Sequence, residues 1–205
     1  MAWTWTERQF VGGALALDLV NTVCFRDDPV RRFDKFAALS DLSDFAAAAS
    51  RFAGAPTLGL GPGTADALVL AHHKEVREAI DAALRPLAAA RAPAAGDLQR
   101  LLRFHHDWLG GRSLAATEAG LAFSDGEGPL PLAALATHSA LAILFSDAIS
   151  RVKACPNCHW LFLDRSRNAS RVWCDMAVCG NRAKSERHQR RRRGETEPAL
   201  AGLEG

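Results

Sequence analysis

Four of the five cysteines in this chain lie in one stretch, at a spacing that is typical of a zinc site. Two residues separate Cys155 from Cys158, four separate Cys174 from Cys179, and fifteen lie between the pairs. Zn²⁺ prefers a tetrahedron of soft ligands, and a two-residue gap lets one tight turn offer two sulfurs to one ion. The spacing therefore predicts one structural Zn²⁺ ion with all four cysteines as ligands. Four buried thiols without metal, or two disulfides, are less favoured because paired spacing without a secretory signal indicates metal.

The residues between and after the cysteine pairs predict the elements that bring the two pairs together. Residues 159–164 are aromatic and apolar and predict a strand, residues 165–168 a turn, and residues 170–174 a returning strand. Residues 176–193 contain no proline, and their one glycine directly follows Cys179, so we expect a helix there. A cysteine turn, a hairpin and a helix bearing the last ligand form the layout of a treble-clef zinc finger.

Two motifs resemble a known family. Residues 179–182 read CGNR and follow a Cys-x-x-Cys pair and a Trp-Cys dipeptide, as in the CGNR zinc-finger family. Members of that family usually carry an N-terminal domain, called ABATE, that opens with an LDFVNT-like motif. Here residues 17–22 read LDLVNT, with Leu19 at the aromatic position. The resemblance implies a stress-induced transcriptional regulator whose finger binds DNA.

Charge divides the chain into two parts. Residues 151–193 hold 12 lysines and arginines against 3 acidic residues, a net charge of +9, whereas the other residues hold 13 against 20, a net of −7. Binding Zn²⁺ to four thiolates would lower the charge of the basic part by two, to about +7. A basic module on an acidic body is typical of a protein whose basic module binds a polyanion.

The basic residues of the finger favour a nucleic acid, duplex DNA first, as the partner. Ten basic residues between positions 165 and 193 exceed what the two surplus negative charges of a zinc–thiolate centre require. The alternative is a solvated face, with some arginines neutralising the metal centre. The candidate nucleic-acid contacts are Arg165, Arg167, Arg171, Lys184, Arg187, Arg190 and Arg191.

The preceding residues predict a mainly helical domain. The chain has 205 residues, of which 48% are hydrophobic, so it can bury a core of ordinary size. We expect an α+β fold, in which a mainly helical N-terminal domain with a small β-hairpin precedes a C-terminal treble-clef-like zinc finger. The expected helices span residues 14–24, 40–52, 64–90 with a kink at Pro86, 97–109 and 130–150, and the hairpin spans residues 113–124.

Asp18, Asn21 and Thr22 form a polar face on the first expected helix. They lie at positions i, i+3 and i+4, opposite an apolar face that includes Leu19. One interpretation is a binding site for a small-molecule effector or a partner. The other, which we favour, is a helix end or a buried hydrogen-bond network, because buried polar groups need partners.

We expect three segments: an ABATE-like domain over residues 1–150, the finger over 151–193 and a flexible tail over 194–205. Neither a signal peptide nor a membrane-spanning run is apparent, so we expect a cytoplasmic protein without a membrane partner. The leading function is a DNA-binding transcriptional regulator, not an enzyme, whose N-terminal domain senses an effector or a protein partner. The alternatives are an RNA-binding or protein-interaction adaptor and, less favoured, an enzyme with a site near Asp18 and Asn21.

Overall fold

A computed structural model describes residues 3–60, 66–109, 114–117, 120–123 and 130–193, with the backbone alone described for residues 114–117, 120–123 and Arg191. The expected tail over residues 194–205 and the first two residues of the helix expected over residues 64–90 lie outside this part of the chain. No helix within the described residues is both long enough and apolar enough to cross a bilayer.

The second and fourth helices begin and end close to their predicted bounds. The Asp41 carboxylate accepts hydrogen bonds from two backbone amides ahead of the second helix, and Gly54 follows its end with a φ of 66°. Pro86 breaks the third helix into a short 3-10 turn, Arg85–Ala89, as predicted. The α-helices of the described residues are α1 (Leu15–Val20), α2 (Leu39–Phe52), α3 (Asp66–Leu84), α4 (Ala95–Leu109), α5 (Leu132–Leu144) and α6 (Asn181–Arg192).

Short strands form four two-stranded sheets in the described part of the chain. The predicted hairpin near residue 119 is present as an antiparallel pair, and three further pairs connect distant segments. The pairs are β1 (Val23–Cys24) with β2 (Phe33–Asp34), β3 (Leu58–Gly59) with β6 (Leu130–Pro131), β4 (Leu114–Thr117) with β5 (Gly120–Phe123), and β7 (Val152–Ala154) with β8 (Leu161–Leu163). Only the β3–β6 pair is parallel; the other three are antiparallel.

Helix α1 lies at the centre of the main core. Five of its six residues are buried, and it contacts α3, α5 and β8. The same core contains Val152, Leu161 and Leu163, which come from the stretch predicted to belong to the finger. The first strands of the finger are therefore also part of the body of the protein, where they cover α1.

The first helix is shorter than predicted. It ends at Val20 rather than near residue 24, because Val23 and Cys24 pair with β2 instead of continuing the helix. The Lys35 amide donates to the Thr22 carbonyl at 3.0 Å, which fixes the chain in its extended course. The last helix of the body, α5, is also shorter than predicted: it ends at Leu144, and the 3-10 turn Asp147–Arg151 follows.

The predicted strand over residues 170–174 is wrong. Its expected partner, β8, pairs with β7, on the other side of the first cysteine pair. The backbone around residues 169–171 bonds to side chains instead: Lys153 Nζ donates to the Ala169 carbonyl, and the Arg171 amide donates to the Asp164 carboxylate at 2.9 Å. These bonds use the groups that a strand ladder would need.

Candidate metal centre and its surroundings

The first cysteine pair occupies the tight turn between the antiparallel strands β7 and β8. The Cys155 amide donates to the Trp160 carbonyl at 2.8 Å, and the His159 amide donates to the Cys155 carbonyl at 2.9 Å. His159 adopts a left-handed φ of 61°, which closes the turn. This backbone places the thiols of Cys155 and Cys158 on the same side of the hairpin.

The second pair lies at a single helical turn, Met176–Gly180, that leads into α6. Asp175 caps one helical turn through its carboxylate, which accepts from the Ala177 amide at 2.7 Å and the Val178 amide at 3.2 Å. The Asp175 carbonyl then accepts from the Cys179 amide at 2.9 Å. The capped turn carries Cys179 round to face Cys174, which lies just before it.

The four sulfur atoms lie together. All are within 4.8 Å of one another, with 3.4 Å between the sulfurs of Cys158 and Cys174 and 3.6 Å between those of Cys174 and Cys179. A Zn²⁺ ion with Zn–S bonds of about 2.3 Å requires sulfurs about 3.8 Å apart at the corners of a tetrahedron. All four cysteines are buried. Their arrangement therefore agrees with the predicted single structural Zn²⁺ ion.

The four thiols lie close enough to shift one another's pKa values. Hydrogen bonding from Cys158 holds the pKa of Cys155 far below its usual range, and the interaction with Cys155 raises the pKa of Cys158 and of Cys174. A bound dication keeps all four as thiolates, and Asn157 donates its amide to the Cys179 sulfur at 3.3 Å.

Gly180, the glycine of the CGNR motif, leaves room for the aromatic and thioether side chains beside the metal site. A Cβ atom at this position would overlap the Met176 sulfur and lie 3.2 Å from the Trp173 ring. A larger residue here must displace the Met176 thioether and slightly shift the Trp173 ring, which packs against the cysteine cluster. The motif glycine is therefore explained by close packing.

Asn21 joins the finger to the body. Its side-chain amide donates to the Leu161 carbonyl at 2.9 Å, and its side-chain oxygen accepts from the Leu161 amide at 2.8 Å. The side chain acts as one more strand partner for β8. Beside it, the Phe25 amide donates to the Cys158 carbonyl at 3.1 Å, so the body binds the backbone of a metal-site residue directly.

An ion-pair network reaches the same cysteine turn from α3. Arg85 pairs with Asp81 at 2.8 Å and donates to the His159 carbonyl at 3.0 Å. The Asp27 amide donates to Nδ1 of His159 at 3.2 Å. Further along α3, Arg77 forms two bonds of 2.7 and 2.8 Å with the Asp34 carboxylate. Charged residues of the body thus hold the turn that carries the first two ligands.

Lys35 is a buried cation that the sequence analysis did not find. Its ammonium lies over three indole rings, 5.0 Å from those of Trp3 and Trp5 and 4.6 Å from that of Trp160. Burial lowers the pKa of Lys35 to about 8. Nothing in the spacing of these residues indicates the contact, because three separate segments form it.

The polar face of α1 contacts other parts of the chain. The Asp18 carboxylate accepts from the Gly12 amide at 2.8 Å, and Asn21 bonds to β8 as described. The Thr22 hydroxyl donates to the Leu19 carbonyl at 2.7 Å and accepts from Arg77 at 3.0 Å. All three side chains are buried. Such contacts are what we expect if the three side chains form a buried hydrogen-bond network.

Burial raises the pKa of Asp18 to about 7, and the hydrogen bond from the Gly12 amide opposes that shift. No ion pair to Asp18 is present among the described residues. The carboxyl is therefore neutral in the folded protein below neutral pH.

The candidate nucleic-acid residues separate into two groups. Arg165, Arg167, Lys184, Arg187 and Arg190 are exposed on the finger, and the side chain of the seventh candidate, at position 191, lies outside the described residues. Arg171 is half-buried and turns inward. Its guanidinium lies 4.6 Å from the Phe162 ring centre and donates to the carbonyls of Trp173, at 2.9 Å, and Cys174. It supports the loop that carries the third cysteine.

Asp164 organises the loop between the cysteine pairs, and the sequence analysis missed it. One carboxylate oxygen accepts from the Ser166 amide at 2.9 Å and its hydroxyl at 2.6 Å. The other accepts from Lys153 at 2.7 Å and the Arg171 amide at 2.9 Å. Burial alone would raise the pKa of Asp164, but the Lys153 ammonium and these donors hold it well below its usual range. We call residues 164–170 the Asp164 loop.

Two family models match the chain. The ABATE model, described as "Putative stress-induced transcription regulator", matches residues 13–153. The CGNR zinc finger model matches residues 151–192. Neither description is that of an enzyme. No curated protein matches the chain.

Proposed function

Because the chain belongs to the ABATE family and ends in a CGNR zinc finger, we propose that it is a transcription regulator whose finger binds duplex DNA. Helix α6 and the exposed arginines of the Asp164 loop make the contacts. The N-terminal body responds to an effector or to a partner protein and is joined to the finger through β8.

The observation that carries this proposal is the surface of α6. Six of its twelve residues are lysine or arginine against one glutamate, and no residue of the helix from 181 to 190 is buried. A helix of this length is about 18 Å long, and the major groove of DNA admits a helix. An exposed helix with so little apolar surface gains no stability from core packing, so its charge serves a partner.

In this proposal the metal site is structural: it stabilises the helix and takes no part in a reaction. Cys179 and the Asp175 cap hold the first turn of the helical segment, and bound Zn²⁺ supplies the cross-link to the β7–β8 turn. The chain's own residues then orient α6 relative to the Asp164 loop. We leave Arg171 out of the contact set because its guanidinium bonds within the finger.

The effector, in this proposal, does not bind at Asp18, Asn21 and Thr22. Their hydrogen-bond partners are in the chain itself, and they join α1 to the first strands of the finger. They instead transmit changes between the two parts, because a shift of α1 would move β8.

The test compares two triple variants of the zinc-loaded full-length protein. In the first, Lys184, Arg187 and Arg190 of α6 are changed to alanine. In the control, the exposed body residues Arg8, Arg91 and Arg103 are changed, so that the loss of net charge is the same. Affinity for a labelled random-sequence duplex is measured by anisotropy at two salt concentrations.

We expect the α6 variant to bind every duplex more weakly and to flatten the salt dependence by up to about three units, because each neutralised phosphate contributes about 0.9 to the slope. The control should keep the native slope. Binding weaker than about 10⁻⁴ M to any duplex at low salt would contradict the proposal. Tighter binding to RNA than to duplex would replace it with the RNA-binding alternative, and no nucleic-acid affinity at all would favour docking to an acidic protein.

A further inference from the structure

A pocket of about 440 Å³ lies where the body meets the finger. Its walls come from the 3-10 turn that follows α5 and from the Asp164 loop. Three arginines line it: Arg151 from the turn, and Arg165 and Arg167 from the loop. Helix α6 does not contribute to the lining, whereas Arg165 and Arg167 also belong to the proposed DNA contact.

The loop that presents two of these arginines is held in one conformation. The Asp164 carboxylate accepts four hydrogen bonds, and the Ser166 hydroxyl in turn accepts from the Ser170 amide at 3.0 Å. Arg151 donates to the Ser166 carbonyl at 3.3 Å, which links the two walls of the pocket. A site fixed in this way loses little conformational entropy when an anion binds.

Arg165 is positioned by the body. Its guanidinium donates to the Gly13 carbonyl at 2.6 Å. Gly13 has a φ of 80°, and a Cβ atom there would lie 3.7 Å from the guanidinium. The left-handed conformation of Gly13 turns its carbonyl towards the arginine, so the N-terminal segment fixes one wall residue of the pocket.

The positive charge of the pocket is not balanced by the protein. Asp164 is the one carboxylate in its lining, and Lys153 neutralises it at 2.7 Å. Within the described residues, the three arginines form no ion pair, and the bonds found for Arg151 and Arg165 go to neutral carbonyls. Each guanidinium has five N–H donors, so most remain available to a ligand.

We infer that this pocket binds a phosphate group. Clustered guanidinium groups match the tetrahedral, multiply charged oxygens of phosphate through charge-assisted and bidentate hydrogen bonds. The phosphate comes either from a DNA backbone held against the junction or from a free phosphorylated small molecule. In both cases, the ligand contacts the turn after α5 and the finger together, and Arg165 extends that contact to the N-terminal segment.

The first measurement titrates the zinc-loaded full-length protein with inorganic phosphate, at constant ionic strength, by calorimetry. We expect saturable binding that Arg167→Gln and Arg151→Gln each weaken about tenfold or more, with partial recovery in Arg167→Lys, because a charge-assisted bond is lost and then replaced by a point charge. The Lys184→Gln, Arg187→Gln double variant of α6 is the control and should bind phosphate normally. Failure of the wild type to bind phosphate, or equal binding by Arg167→Gln, would overturn the inference.

The second measurement identifies the source of the phosphate and does not depend on the first proposal. If saturating duplex DNA excludes inorganic phosphate, and Arg167→Gln lowers the salt slope of DNA binding by about one unit, the pocket holds a backbone phosphate. If phosphate binds equally well with and without DNA, the ligand is a free phosphorylated molecule. Phosphate binding by a protein with no affinity for DNA would reject the DNA-binding proposal and leave the pocket standing.

Discussion

Arginines of the body and of the finger perform opposite tasks. In the body, Arg77 and Arg85 bond to carboxylates at 2.7 and 2.8 Å, and the side chain of Arg77 is only 4% exposed. In the finger, Arg182, Arg187, Arg190 and Arg192 of α6 and two arginines of the Asp164 loop are exposed. The same residue type therefore serves two roles: buried, ion-paired arginines hold the body together, and exposed arginines lie where a ligand can reach them.

The two regions differ in charge but share one core. Val152, Leu161 and Leu163 are buried with residues of α1, α3 and α5, although they lie next to the first cysteine pair. The boundary expected at residues 150–151 therefore falls within packed structure, and the domain division remains a prediction. Because of this overlap, loss of the metal should also lower the stability of the body.

The largest expected effect comes from removing the zinc. Cys174→Ser should release the metal, melt the helical segment beyond residue 175 and also lower the melting midpoint of the body, because β7 and β8 contribute to both. Structural zinc contributes about 10 to 16 kcal/mol in isolated fingers, which sets the upper scale. Cys24→Ser, at a buried cysteine outside the metal site, is the matched control and should retain the metal. If calorimetric scans show an unchanged unfolding transition of the body in Cys174→Ser, the two regions unfold independently and the claim that they share one core is wrong.

The next effect tests the paired arginines. Arg77→Met should lower the free energy of unfolding by about 1 to 3 kcal/mol, because it removes the bonds of the buried guanidinium to the Asp34 carboxylate and leaves the buried Thr22 hydroxyl without its donor. Arg103→Met, on the exposed side of α4, should change it by less than about 0.5 kcal/mol. Urea denaturation measures both. Equal losses in the two variants would mean that the ion-pair network contributes nothing to the body.

The smallest effect depends on pH and concerns Asp18. Its folded pKa of about 7 lies above the unfolded value of 3.8, so the folded state binds the proton more tightly. Stability is then full below about pH 4 and falls as pH rises towards 7, by at most about 4 kcal/mol. Asp18→Asn keeps the oxygen that accepts from Gly12 and removes the titration. We expect it to match the wild type near pH 4 and to be more stable at pH 8. Parallel pH profiles for the two proteins would show that the carboxyl is already ionised in the fold.

Local spacing was enough to predict the cysteine cluster, the presence of the helices and the hairpin near residue 119. It did not predict where α1 ends, because Val23 and Cys24 pair with a strand that lies further along the chain. Pro86 broke α3 where its missing amide required.

The pairing of β8 could not be predicted in the same way. Residues 152–154, which pair with one edge of β8, carry no strand pattern of their own. Asn21 bonds to Leu161 of β8 from 140 positions earlier in the sequence. Arg167 and Arg171 look alike in the sequence, four positions apart. Arg171 turns inward because its guanidinium contacts the Phe162 ring and donates to two backbone carbonyls, whereas Arg167 is exposed.

The position of β8 in the core affects the order in which the nascent chain can fold. Helix α1 is made early, yet the strand that covers it contains Leu161, which bonds to Asn21 across 140 residues. At about 5 to 20 residues per second, synthesis of that interval takes roughly 7 to 28 s. During this time the apolar face of α1 has no β8 to cover it, and the metal site is still incomplete. A ribosome-bound chain of this protein therefore keeps that face uncovered until residues 161–163 have been made.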